Sequence, residues 1–115
     1  MKGIYWQKGE ALDYVNSTDK KIENGDVVKL GKRIGVAGDD IPPGATGALH
    51  VTGVYGFKRA DTEDIAMGQE VYLTDAGITV QSETEAEDKS KTENVRAGYV
   101  AAPSKGDTVY VKINA

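Results

Sequence analysis

Residues 41–57 read IPPGATGALHVTGVYGF, a turn phrase followed by a long run of alternating side chains. One side of the run carries the larger apolar and aromatic residues Leu49, Val51, Tyr55 and Phe57. The other side carries His50, Thr52 and Val54. Alternation of this kind is typical of a β-strand, and Gly53 and Gly56 inside it indicate bends or bulges. The run therefore predicts one long strand, long enough to cross between two sheets.

The phrase that opens this stretch, Ile41-Pro-Pro-Gly44, recurs along the chain. Ile22-Glu-Asn-Gly25 and Ile65-Ala-Met-Gly68 have the same form, and Lys105-Gly106-Asp107 is a degenerate fourth copy. A β-type run follows each copy within a few residues. We therefore expect each copy to be a tight turn, with its glycine at positive φ and its apolar first residue anchored in the core.

Seven further short segments have strand character, and no segment has a helical period. They are Ala11 to Val15, Val27 to Leu30, Arg33 to Ala37, Val71 to Leu73, Ile78 to Val80, Val95 to Tyr99 and Val109 to Ile113. Thr74-Asp75-Ala76-Gly77 lies between two of them and is typical of a hairpin connection. The predicted fold is all-β, a single small β-barrel or sandwich of about eight short strands with glycine-rich turns and little or no helix.

Composition narrows the class of protein further. The chain has 115 residues, enough for one domain with one modest core, and it has no cysteine for disulfides or thiolate sites. Its 14 basic and 18 acidic residues give a net charge of −4, which does not resemble a nucleic-acid-binding surface. No stretch approaches the ~20 apolar residues that span a bilayer, and the N-terminus lacks the apolar region of a signal peptide. We expect synthesis in the cytoplasm and no membrane partner.

Two segments depart from the strand pattern, one inside the predicted single β domain of residues 9–115 and one before it. Residues 82–94, SETEAEDKSKTEN, contain five acidic and two basic residues and predict a solvated, flexible loop. Residues 1–8 contain Ile4, Tyr5 and Trp6, the last being the only tryptophan. These three residues predict either an edge strand with one aromatic side chain covering the core or an arm that contacts a partner.

The search for reactive groups predicts no catalytic residue, cofactor or metal. His50 is the only histidine and has no marked acid or nucleophile beside it in sequence. Asn16-Ser17-Thr18 matches a glycosylation acceptor, but without a signal peptide we interpret the match as a coincidence or a turn. Acidic groups occur at three places without the spacing of a calcium loop, and we interpret them as solvated charge. They are Asp39-Asp40, Asp61/Glu63/Asp64 and Glu83/Glu85/Glu87/Asp88.

Several phrases, taken in order, resemble one known family over residues 9–113. They are Gly9-Glu-Ala-Leu-Asp-Tyr14, Asn24-Gly-Asp-Val-Val28, Ile34-Gly-Val-Ala37, Gly53-Val-Tyr-Gly-Phe57, Gly68-Gln-Glu-Val-Tyr72 and Gly106-Asp-Thr-Val109. The family is the capsid cement, or head decoration, proteins of tailed bacteriophages and prophages, formerly a domain of unknown function. Residues 82–94 depart from it, because this segment is longer and more acidic than the family's usual connection.

The resemblance implies a non-enzymatic protein on the exterior of the virion, made in the cytoplasm of the bacterial host. Its partner would be the major capsid protein, whose neighbouring subunits it would bridge on the expanded head, commonly as a homotrimer. We expect Ile4, Tyr5 and Trp6 to contribute to the capsid or subunit contact. Two alternatives stay open. One is a β-barrel module that binds a carbohydrate or peptide on Tyr55, Tyr72 and Tyr110, and the other is an enzyme centred on His50.

Overall fold

The fold is seen in a computed structural model that describes residues 1–60 and 65–115. Over those residues the chain is all-β, as predicted, and it has no helix. It has eleven strands rather than about eight. The strands are β1 (Ala11–Val15), β2 (Val27–Leu30), β3 (Arg33–Ala37), β4 (Thr46–His50), β5 (Val54–Lys58), β6 (Glu70–Thr74), β7 (Gly77–Thr79), β8 (Glu83–Glu85), β9 (Lys91–Glu93), β10 (Val95–Lys105) and β11 (Thr108–Ile113).

The strands form three sheets in which neighbours pair antiparallel. The first has four strands in the order β1-β4-β3-β2, and the second has five in the order β5-β11-β10-β6-β7. The third contains only β8 and β9. Beyond β5, the Ala60 N–H donates to the Ile78 carbonyl in β7 at 2.8 Å, so the two outer strands of the second sheet approach each other. A closed barrel is not found in the described part of the chain.

The recurring glycine phrase forms the predicted turns. Gly25, Gly44, Gly68 and Gly106 all have positive φ, between 60° and 92°. In the first three copies the glycine is the third residue of a turn closed by a hydrogen bond from the fourth residue's N–H to the first residue's carbonyl, which is where a type II turn requires positive φ. A strand begins two residues after every one of the four glycines. These turns therefore determine where β2, β4, β6 and β11 begin.

Each of the three complete turns also clamps a distant residue through two backbone hydrogen bonds. The glycine N–H donates to that residue's carbonyl, and that residue's N–H donates to the carbonyl that follows the glycine. The pairs are Gly25 to Ala37 (2.8 Å) with Ala37 to Asp26 (2.9 Å), Gly44 to Asn16 (2.7 Å) with Asn16 to Ala45 (3.0 Å), and Gly68 to Val100 (2.8 Å) with Val100 to Gln69 (3.0 Å). The turns thus satisfy backbone groups that would otherwise be unpaired at the strand starts.

The prediction of one long strand over residues 47–57 is wrong in one respect. The segment forms two strands, β4 and β5, which belong to different sheets. The Val51 N–H still donates to the Glu10 carbonyl beside the first sheet, whereas the Gly53 carbonyl accepts from Ile113 of the second, both at 3.0 Å. Gly53 makes the break at φ +115°. The chain therefore crosses from the first sheet to the second in this segment, as predicted. It does so as two strands and not as one continuous strand. Gly56 lies inside β5 and marks no bend.

The core is divided into two apolar clusters. The larger lies between the first and second sheets and takes Ile34 and Val36 from β3, together with buried residues of β6, β7, β10 and β11. The smaller consists of Ala37, Ile41 and Leu49, with Tyr14 and Ile22 packed against it. Ile41 and Ile65, the first residues of two turn phrases, are buried, which confirms their predicted role as anchors.

Asn114 joins the two larger sheets. It follows β11, and its side-chain amide pairs with the backbone of Ile34 in β3: the Ile34 N–H donates to Oδ1 at 3.0 Å, and Nδ2 donates to the Ile34 carbonyl at 2.8 Å. Nδ2 also donates to the Val51 carbonyl at 2.8 Å. β4 ends before it reaches Ile34, so no β4 peptide pairs with the Ile34 backbone. The Asn114 amide makes these two hydrogen bonds instead.

The acidic segment 82–94 differs from the predicted loop because it contains the hairpin of β8 and β9. All six strand residues are exposed, in agreement with solvation, and Glu83 stands directly opposite Glu93. Lys91 lies diagonally across, with its Nζ 3.9 Å from a Glu83 carboxylate oxygen. The Thr84 hydroxyl donates to the Asn94 side chain at 2.9 Å, so polar groups rather than apolar ones support this hairpin. Its flexibility stays a prediction.

We predict that Asn114→Ala lowers the free energy of unfolding by about 2–3 kcal/mol, because it leaves partly buried backbone groups of Ile34 and Val51 without partners. Alanine also tolerates the Asn114 φ of 58° less well than asparagine does. Chemical denaturation followed by circular dichroism measures the change. Asn24→Ala is the matched control, since Asn24 is exposed and none of its side-chain atoms has a hydrogen bond within the described residues. Equal stability of the two variants would contradict the role of Asn114.

Candidate functional site

Residues 1–8, which we call the arm, precede β1 and are all exposed. None of them lies in a strand, and Ile4, Tyr5 and Trp6 keep 93%, 80% and 84% of their surface exposed. None of the three packs against either apolar cluster. Within the described residues this segment thus forms no strand and Trp6 covers neither apolar cluster, while its role as an arm for a partner stays a prediction.

The composition of the arm is the reason for predicting a contact with a partner. Three adjacent apolar side chains, two of them aromatic, are flanked by Lys2 and Lys8. Scattered single apolar residues on a surface need no explanation, but a contiguous group marks an interaction site. Tyrosine and tryptophan offer much contact area at a low cost in side-chain entropy, which is why they are enriched in interfaces.

The arm leads directly into an open sheet edge. β1 is the outer strand of the first sheet, and two of its apolar side chains are exposed, Leu12 at 36% and Val15 at 55%. Sequence reasoning missed this feature, because the segment's alternation predicts a strand without saying which sheet position it takes. The arm and the β1 edge together form the candidate site.

The tyrosines of the alternative binding module do not share one face. Tyr55 packs against the larger core, and its ring centroid lies 6.4 Å from that of Phe57. Tyr72 and Tyr110 alternate with the buried Val71, Val109 and Val111 and so lie on the opposite side of the second sheet. The expectation that all three are outward stacking surfaces is therefore wrong for Tyr55.

His50 has no catalytic partner in the described part of the chain. It is half-buried in β4 against the backbone of Gly38, and no hydrogen bond joins it to a serine, threonine or carboxylate of residues 1–60 or 65–115. In a catalytic triad, a histidine base takes a proton from a nucleophile within hydrogen-bond reach and is oriented by a carboxylate. The described surroundings of His50 offer neither.

The other sequence motifs have structural roles or no partner groups. Asn16 is fully buried: its Nδ2 donates to the carbonyls of Lys20 and Ile41, and its Oδ1 accepts from Thr18, which confirms the turn interpretation. Among the described residues no three acidic or histidine side chains could hold a metal ion together. Asp61, Glu63 and Asp64 lie outside those residues.

Asp88 occupies the turn between β8 and β9. The Ser90 hydroxyl donates to its carboxylate at 2.6 Å and the Ser90 N–H at 2.9 Å, and these bonds lower the pKa of Asp88 below its ordinary value. Both residues are exposed, and the arrangement is a local turn that keeps the carboxylate charged.

Comparison with known proteins gives one match. A family model described as phage cement protein matches residues 6–113, which is nearly the whole chain and includes Trp6. No curated protein and no solved structure matches. In the described residues no helix is long and apolar enough to cross a membrane.

We predict that Trp6→Ala changes the free energy of unfolding of the isolated protein by less than about 0.5 kcal/mol, because the side chain is exposed. Leu49→Ala, at a fully buried position, is the comparison and should cost about 2–5 kcal/mol. Thermal or chemical denaturation measures both. A loss for Trp6→Ala as large as that for Leu49→Ala would restore the interpretation of Trp6 as a core residue.

Proposed function

Because the chain belongs to the phage cement protein family, we propose that it is a capsid decoration protein that binds the outside of the expanded phage head. It stabilises the head by bridging neighbouring major capsid subunits, and it does so as trimers. Family membership itself supports a cement role, an association with a phage capsid and a location in the virion, and it suggests a non-enzyme. We propose further that the protein is made in the cytoplasm of the bacterial host.

The observation that carries the proposal is the exposed arm. Ile4, Tyr5 and Trp6 contact no core residue, yet an apolar side chain gains about 1.5–3 kcal/mol when it is fully buried. Ordering a free arm on a partner costs part of that gain. Three such side chains on one arm leave a net attraction large enough for each copy to contribute to binding.

Linkage explains how such binding strengthens a shell. A protein that binds the expanded head and not the disrupted one stabilises the expanded head by RT ln(1 + [L]/Kd) at each site. A head presents many identical sites, so modest free energies per copy add up over the shell. Trimers add avidity, because once one arm is bound the other two act at a high effective concentration.

Co-sedimentation tests the proposal. The purified protein is mixed with expanded shells assembled from the major capsid protein of the same phage, and unexpanded shells serve as the control. We expect saturable binding to expanded shells at a fixed number of copies per capsid subunit. No binding to either shell would reject the cement function and would favour the small-ligand module, which NMR titration of the free protein with carbohydrates and peptides would then test.

We predict that Trp6→Ala weakens binding to expanded shells about tenfold or more, as expected for an aromatic anchor in an interface. The same co-sedimentation assay measures the effect. Met67→Ala is the matched control, since Met67 is also an exposed apolar residue, at 61%, but lies outside the candidate site. Unchanged binding of the Trp6 variant would reject the role of the arm while leaving the cement function intact.

A further inference from the structure

The outer side of β1 presents backbone groups with no partner in the described chain. Antiparallel ladders alternate, so every second residue turns its N–H and carbonyl toward the neighbouring strand. Glu10 and Asn16 bond to the strand beside β1, through Val51 and Ala45, at 3.0 Å each. Leu12 and Tyr14 lie at every second position between them, so their N–H and carbonyl groups also point toward β4. Three residues therefore direct their N–H and carbonyl groups outward: Ala11, Asp13 and Val15.

The outer strands of the two larger sheets differ in length and in what lies beside them. β2, at the far side of the first sheet, has only four residues, and Lys29 is one of its outward-directed positions. In the second sheet, β7 has three residues, and the end of the β5 segment meets β7 through the Ala60 to Ile78 hydrogen bond. β1 has five residues, three of them outward-directed, and the exposed apolar arm directly precedes it.

A second copy of the chain does not suit this edge. The antiparallel register that pairs all five residues of β1 with β1 of another copy places Asp13 directly opposite Asp13. Like charges at directly opposed positions destabilise a sheet, and shifted registers shorten the ladder. Asp13 forms no ion pair with any residue that the structure describes, so its charge is left for a cation from elsewhere.

We propose that the free edge of β1 accepts an extended segment of the major capsid protein that carries a lysine or arginine opposite Asp13. On the other face of the strand, apolar residues of that segment would meet Leu12 and Tyr14 and extend the smaller core, against which Tyr14 packs. The arm belongs to the same contact, because the five residue-to-residue steps from Trp6 to Ala11 span at most about 18 Å. This inference rests on the proposed function and names its docking surface.

Proline substitution tests the edge without disturbing the sheet. Asp13→Pro removes an outward N–H and leaves the bonds of β1 to β4 in place, and proline is tolerated at such edge positions. Lys29→Pro removes the equivalent outward N–H of β2 and is the matched control. We expect Asp13→Pro to weaken co-sedimentation with expanded shells at least about tenfold, the loss that 1.4 kcal/mol represents, and Lys29→Pro to bind like the unaltered protein.

Two further measurements keep the test decisive. Asp13→Lys reverses the charge and retains the N–H, so it should weaken binding if the partner residue is basic, whereas Asp19→Lys, on an exposed loop, should not. This pair decides the matter if Asp13→Pro does not fold. Hydrogen exchange of the bound protein should also show new protection over residues 11–15.

The outcomes separate this inference from the proposed function. Full binding by folded Asp13→Pro and by Asp13→Lys would overturn the edge inference alone. Protein that self-associates without shells, and ceases to do so as Asp13→Pro, would overturn the choice of partner in favour of a second copy. Failure of the unaltered protein to bind any shell would overturn the proposed function and this inference with it.

Discussion

The pairing of the Asn114 side chain with the backbone of Ile34 is the interaction on which the architecture depends. The two larger sheets pack around two apolar clusters, and β3 contributes buried residues to both of them. Where β4 leaves β3, the backbone of Ile34 would face an apolar interior without a partner, at a cost of about 1–3 kcal/mol for each polar group. Asn114 removes that cost and fixes β11 against β3, while Ile113 binds the crossing segment at Gly53.

Features of the fold that depend on a few neighbouring residues could be predicted from the sequence. Features that depend on contacts between distant residues could not. Positive φ at a turn depends only on the few residues that form the turn. Gly25, Gly44 and Gly68 therefore predict their turns without knowledge of the rest of the fold. The break at Gly53 depends on which sheet each half of the segment joins, which alternation alone does not reveal. Asn114 has no sequence pattern, because its partner Ile34 lies 80 residues away.

The acidic hairpin shows why apolar alternation is an incomplete guide to strands. Residues 83–93 contain no large apolar side chain, so the usual signal is missing, and Glu83 opposite Glu93 opposes pairing. Backbone bonds and contacts such as that between Thr84 and Asn94 form the strands nonetheless. For the candidate site, the apolar arm was visible in the sequence, whereas the open edge of β1 required the strand order.

In the proposed docking, the arm supplies apolar side chains that leave water on binding, and the β1 edge supplies backbone groups that lack a neighbouring strand within the described residues. The most direct measurement is the temperature at which expanded heads disrupt, recorded with increasing amounts of the protein. Linkage predicts a temperature that rises with occupancy and levels off when the sites are full. An unchanged disruption temperature at full occupancy would contradict the account, because a protein that binds without shifting that equilibrium is not a cement.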